Sequence, residues 1–344
     1  MPKPLCITAI GMSCPVGLYA QAACAAIRAG IVRFQELPYQ DNKGRAIVGS
    51  CVASLPFSLQ RRERLVGLLA LALEDGLRQT PSLDLQRTPL IVGVAEPGSP
   101  GGEAALTEDL IARVEFRLQR HFHPRLSRVL AKGNTAGFHG LDIARQVLQR
   151  REAAACIVCG VDSLINANAL LWLGEHLRLK TEDESDGIIP GEAAACVILE
   201  PYPGKKQGTL AMVRGVGFGH EEASLLSDEP LRAAGLAGAA RAALADAGLS
   251  MHELDFRLSD AVGEHYGFKE QTLAMTRLLS ERKEHFPLWL SAETLGEIGA
   301  AAGLCQLVLA ARAFQRGYAP GPKAICCTSS LLGDRAVAIM ERAE

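Results

Sequence analysis

The chain carries no excess of positive charge: 36 Lys and Arg stand against 38 Asp and Glu, a formal net charge of -2. That excludes the basic footprint of a protein that relies on nucleic-acid phosphates. Long hydrophobic runs are missing too. The longest, such as "LVGLLALAL" at 65–73, fall short of the roughly 20 residues that span a bilayer, so no membrane partner is expected. The start "MPKPLCITAI" lacks the apolar region and small-residue cleavage site of a signal peptide, and a cytoplasmic chain is expected. "CIVC" at 156–159 has no second cysteine pair at zinc spacing, and in a β-like run residues three apart point to opposite faces. Neither a metal nor a cofactor is expected.

What is present is apolar material, 48% of 344 residues, enough for one large or two intimate domains. Ten scattered cysteines sit mostly inside apolar runs and read as buried small hydrophobes. "HFH" at 121–123, before Pro124, reads as a solvated loop.

Short β-branched runs alternate with amphipathic stretches, which predicts an α/β fold with covered sheets. Near-continuous apolarity in "LIVGVA", "ACIVCGV", "ACVILE" and "AICCTSS" suits strands buried on both faces. The order of elements then repeats. "CITAIGMSC" opens one half and "AMVRGVGFGH" the other, each a strand ending in glycines. Helical stretches follow around 63–78 and 230–247, then the strands "LIVGVA" and "FRLSDAV". "RVLAKGNTAGFHGLDIARQVLQR" next matches "LWLSAETLGEIGAAAGLCQLVLAARAFQRG", and a strand pair closes each half. In the second long helix Ala300, Leu304, Leu307, Val308, Ala311 and Phe314 share one face. A duplication of about 150 residues is the simplest account. It gives an N-terminal half over 1–200 and a C-terminal half over 209–344, joined by a Pro, Gly and Lys-rich linker at 201–208.

On this repeat the chain resembles a β-ketoacyl synthase of the thiolase-like superfamily. "ITAIGMSCPVG" with "ACAAIRAG", then "CGVDSLINANALLWL", "SDGIIPGEAAACVILE" and "GEIGAAAGLCQLVLA" occur in that family's order. The resemblance implies a five-layer αβαβα fold made of two pseudo-twofold βαβαβαββ halves. It also implies a cysteine nucleophile at the N-terminus of the first long helix, where the dipole favours thiolate and oxyanion, assisted by two histidines from the second half.

Laid on that pattern, the cysteine position falls on Asn134, one histidine position on Glu297, and the other nearest Val262, a shifted register bringing His265 in instead. Thr135 has a hydroxyl but lies about 100° further round a helix. The C-terminal glycine-rich loop is reduced to Gly333 within "SSLLGDRA". Asn134 reads first as a helix N-cap, Glu297 as an acidic residue favoured by a helix N-terminus, and Glu192 as a structural buried carboxylate. The sharper alternative is a remodelled site of Asn134, Glu297, Glu264 and His265, in which a Glu–His pair serves as base and Asn134 donates to an oxyanion.

The expected function is a scaffold or adaptor, such as the synthase-like proteins encoded beside bacterial type VI secretion effectors. Two alternatives stand: a chain-length-factor-like subunit of a fatty-acid or polyketide synthase, and a reprogrammed acyl-thioester decarboxylase, hydrolase or acyltransferase. The resemblance further implies a homodimer, or a heterodimer with a paralogous synthase-like protein, through the strand near 126–133. An acyl carrier protein or a secretion effector is the further partner expected. "AEPGSPGGEAAL" at 95–106 replaces part of the family's cap over its acyl tunnel, which leaves a shallow or open channel.

Overall fold

The computed structural model describes residues 4–102, 106–202 and 208–343. The first half runs β1 (Leu5–Ser13), α1 (Ala20–Arg28), β2 (Phe34–Gln40), β3 (Ala46–Ser50), α2 (Arg61–Arg78), β4 (Leu90–Val94), α3 (Leu106–Leu118), β5 (Arg128–Ala131), α4 (Ala136–Gln149), β6 (Cys156–Ser163), α5 (Ala167–Glu175) and β7 (Glu192–Pro201). The second runs β8 (Ala211–His220), α6 (Ala234–Ala247), β9 (Phe256–Ser259), α7 (His265–Leu278), β10 (Leu288–Leu290), α8 (Ala292–Leu295), α9 (Ala302–Arg316), β11 (Lys323–Ser329) and β12 (Asp334–Arg342).

Ten strands form one hydrogen-bonded order, β10-β9-β11-β12-β8-β1-β7-β6-β4-β5. The two half sheets meet where β1 and β8 pair antiparallel over Leu5–Ile7 and Ala211–Val213. Within each half the sequence of strands across the sheet is the same, and four strands run parallel with one, β7 or β12, antiparallel to them. The expected duplication is therefore present in three dimensions. The linker expected at 201–208 lies largely outside the described residues.

Helices α2 and α3 cover the outer face of the first half sheet, and α6 and α7 that of the second. Between the sheets lie α4 and α9, packed on each other and on strands of both halves. Phe138, Leu141, Leu304, Leu307 and Val308 join β-strand residues there in the largest core. These are the five layers expected.

One expectation needs correction. The face drawn along α9 predicts a helix with a wet side, yet every residue from Ala302 to Ala311 is buried. A helix sandwiched between two sheets has no solvent face, so an apolar stripe understates its burial. Local boundaries also shift: "LWLSAE" yields a three-residue strand and then the short α8, and α6 begins at Ala234 rather than near Pro230. No clear period in the sequence marks the β2–β3 ribbon, because the outer residues of β2 are polar and exposed.

The glycines of β8 have a packing cause. A Cβ at Gly217 would sit 2.1 Å from the Ala239 carbonyl of α6, and one at Gly215 2.3 Å from the Ala243 carbonyl. The alanine-rich α6 can thus lie against the strand with backbone nearly touching backbone. Gly217→Val is expected to cost about 1–3 kcal/mol through overpacking, read as a thermal midpoint lowered by several degrees; an unchanged midpoint would refute that packing.

Among the described residues no helix is long and apolar enough to cross a membrane.

Candidate functional site

Each central helix is entered through one tight turn. Gly133–Thr135 precedes α4 and Gly299–Ala301 precedes α9, with Gly133 at φ 55° and Gly299 at φ 49°. The left-handed backbone needed there favours glycine, which explains the parallel "GNTAG" and "GAAAG". Both turns, together with the segment after β9 and the end of β11, surround a cavity of about 100 Å³.

Asn134, Val262, Glu264 and Glu297 all line this cavity. Asn134 is half-buried, and its Nδ2 donates to Asp260 Oδ2 at 3.0 Å. The same carboxylate oxygen accepts the Ser329 backbone N–H at 2.9 Å. The N-cap reading of Asn134 is therefore wrong: Thr135 occupies the cap position of α4, no side chain caps either segment, and the Asn134 amide is spent across the interface between halves. Thr135 is fully buried with its hydroxyl donating to the Lys132 carbonyl at 2.8 Å, so it offers no nucleophile.

Burial pushes the Asp260 carboxyl up to about 6, against the opposing pull of the Ser329 N–H and Asn134. Glu297 Oε1 accepts the Gly299 N–H at 2.6 Å, as expected of an acid at a helix start. Even so, burial and the nearby charge of Asp260 push it up to about 8, so desolvation outweighs the dipole.

Glu264 is no free base. It stands at the cap position of α7 and holds a two-pronged pair with Arg178, Nε to Oε1 at 2.6 Å and Nη2 to Oε2 at 2.7 Å. His265 is exposed and does not line the cavity. The expected Glu–His base is thus not assembled, because the first turn of α7 carries the imidazole away from the carboxylate that Arg178 holds. None of the eight histidines and none of the ten cysteines lines the cavity. All ten cysteines are buried, and burial pushes Cys14, Cys24, Cys156 and Cys327 up to about 12, far from a reactive thiolate. Among the described residues no three His, Cys, Asp or Glu side chains converge as metal ligands.

Sequence reasoning missed Asp260, Glu96, Glu270, Gln271, Tyr266 and Arg335. Asp260 had a visible signal, an acid directly after the strand run "FRLS"; Tyr266, Glu270 and Gln271 come from the following α7, and Glu96 and Arg335 arrive from distant segments. Glu270 and Arg335 form a fully buried pair at 2.7 Å, and Ser329 Oγ donates to the other Glu270 oxygen. Glu96 comes from the segment after β4, whose Ser99 and Pro100 also border the cavity. Of the cap stretch 95–106, residues 103–105 lie outside the described residues.

Behind the cavity Asp162 accepts Arg61 at 2.8 Å and the Ala300 N–H at 3.1 Å, tying α2 and β6 to the head of α9. Glu192 has the structural role expected: fully buried, it accepts Arg64 Nε and Nη2, the Val52 N–H and Ser163 Oγ.

Solved structures share this fold over the whole chain. The ketosynthase/chain-length factor of ishigamide superposes with a TM-score of 0.82 at 16% identity, covering 100% of both chains. The chain has the thiolase-like fold of ketosynthases. The chain also matches a structure of a type II polyketide synthase acyl-carrier protein in complex with its ketosynthase bound to the hexaketide, with a TM-score of 0.79 at 16% identity over 99% of this chain and 100% of the other. In sequence it is 25% identical over 221 residues to a putative mitochondrial 3-oxoacyl-[acyl-carrier-protein] synthase of Schizosaccharomyces pombe, covering 59% of this chain and 52% of that protein. It is 30% identical over 190 residues to a phenolphthiocerol/phthiocerol polyketide synthase polypeptide of Mycobacterium tuberculosis, covering 52% of this chain and 9% of that protein. The matched stretches thus span about half of the first relative and a small part of the second. No protein-family model matches.

Proposed function

We propose that this chain is a non-condensing ketosynthase-like subunit, a scaffold that pairs with a synthase-type partner as a chain-length factor does and forms no acyl-enzyme. The observation that carries this reading is the tip of α4. On the resemblance, Asn134 stands where the family has its cysteine, and its amide is tied to Asp260 with no thiol or imidazole on the cavity wall. Without a nucleophile and its base, acyl transfer loses several orders of magnitude in rate. Supporting relatives include a ketosynthase/chain-length-factor structure and a synthase complex with a carrier protein. The edge strand β5, hydrogen-bonded only to β4 among the described strands, has its other side free for pairing with a second chain.

The test is to incubate the protein with acyl- and malonyl-carrier thioesters and follow adduct mass, carbon dioxide and free acid. Neither adduct nor turnover is expected. Turnover that disappears in Asn134→Ala or Glu297→Ala would overturn the proposal in favour of a reprogrammed enzyme. Affinity capture of the full chain from its own cells decides the kind of scaffold. A synthase and carrier protein in the eluate fit the chain-length-factor role, and a type VI secretion effector instead of them would replace it with the adaptor role.

A further inference from the structure

The wall of the cavity is rich in acceptors and poor in positive charge. Five carboxylates line it: Glu96, Asp260, Glu264, Glu270 and Glu297. Two of these are neutralised, Glu264 by Arg178 and Glu270 by Arg335. Glu96, Asp260 and Glu297 have no Lys or Arg bonded to them among the described residues; their partners are backbone N–H groups, the Asn134 amide and, for Glu96, the Ser330 side chain. An independent observation points the same way. Gln271, on α7, is 4% exposed and lines the cavity, and its Oε1 meets no donor. An orphaned buried acceptor costs about 1–3 kcal/mol unless something donates to it.

We propose that this cavity binds a small organic cation, an alkylammonium or alkylguanidinium whose N–H groups are shared among Gln271 Oε1, Glu297 and Asp260. The inference rests on the reading that no acyl group occupies the site. A malonyl-type carboxylate would add negative charge to a wall where Glu96, Asp260 and Glu297 already repel it and no Lys or Arg is bonded to them among the described residues. A bare metal ion lacks a converging ligand set among the described residues. About 100 Å³ admits a body of only a few heavy atoms, and Ile188, Leu225, Ala261 and Val262 give a short alkyl chain an apolar wall.

Proton linkage makes the site recognisable. The groups facing Asp260 and Glu297 are the Arg178–Glu264 and Arg335–Glu270 pairs, Tyr266 from α7, and Glu96 from the loop after β4. Burial and mutual repulsion keep part of the carboxyl set protonated when the cavity is empty. A bound cation favours ionisation, so binding releases protons and tightens as pH rises toward about 8.5.

Calorimetric titration with n-butylammonium and methylguanidinium, against butan-1-ol and malonate as probes, tests the proposal. Both cations are expected to bind, butan-1-ol and malonate are not, and the heat is expected to vary with buffer ionisation enthalpy as protons leave. Glu297→Gln, which keeps the shape, is expected to weaken cation binding about tenfold or more and to remove most of the proton release. Gln271→Leu serves as a second variant should the first prove unfolded by circular dichroism. No cation binding, equal binding by the variants, or binding of butan-1-ol or malonate as tight as that of the cations would each overturn it. An acyl adduct in the thioester assay would remove the scaffold reading and leave a positive titration standing. A silent titration with a silent thioester assay removes this inference alone.

Discussion

Glu192→Ala is expected to leave little folded protein. The carboxylate is fully buried and satisfies Arg64 through two oxygens, with Val52 N–H at 2.7 Å and Ser163 Oγ at 2.7 Å completing its bonds. Removing it strands a guanidinium that is itself 1% exposed. Breaking one partner of such a pair costs about 3–5 kcal/mol, against a whole-domain stability of about 5–15 kcal/mol. The loss also frees the start of α2 from the end of β6 and the beginning of β7, which hold the wall behind Asp162. Soluble yield and the urea midpoint measure the effect. An Arg64→Met, Glu192→Leu double variant, with no stranded charge, is expected to recover much of the loss. A single Glu192→Ala variant melting within a degree or two of the wild type would show that the pair is not what closes this corner.

The second large effect is on pH dependence. Glu297 is held up at about 8 and Asp260 at about 6 in the folded chain, whereas unfolded carboxyls titrate near about 4. The folded state therefore binds more protons than the unfolded state between these values. Stability from this pair is fully present below about pH 4 and is lost as pH rises through 6 and then 8. The loss is on the order of a few kcal/mol for the pair. Carboxylates near the surface held low by neighbours, such as Asp41 beside Arg45 and Asp109 beside Arg113, act in the opposite sense at the acid end. Denaturant midpoints taken between about pH 5 and pH 9 should fall, and in Glu297→Gln the fall above about pH 7 should flatten. A profile in the variant that parallels the wild type would refute the assignment of Glu297.

These two carboxyl systems differ in how legible they are in the sequence. Glu192 lies inside "PGEAAACVILE", where one acid in an apolar run must find a partner or unfold the strand, so a structural role follows from chemistry alone. Its partner Arg64 gives no such sign, being one of four charges in "RRER" on a helix start. Asn134 and Glu297 are located by the repeat and by resemblance, and the structure brings them to one cavity. Their bonding is not legible. Asn134 has the composition of a helix cap, but its amide donates to Asp260, 126 residues away. His265 shares a short segment with Glu264, yet the start of α7 separates their environments.

The sequence by itself determined the duplicated order of strands and helices, the glycine turns at the heads of α4 and α9, and the absence of sulfur and imidazole from the positions that would need them. Those features depend on residue type and spacing along one strand or helix. The tertiary structure alone decided which carboxylates are neutralised and which are left without a cation, and it placed both long helices in an inner layer, burying α9 on every side from Ala302 to Ala311. Such outcomes depend on charges and surfaces contributed by distant segments, 86 residues apart for Arg178 and Glu264 and 65 for Glu270 and Arg335, and no local period records their meeting.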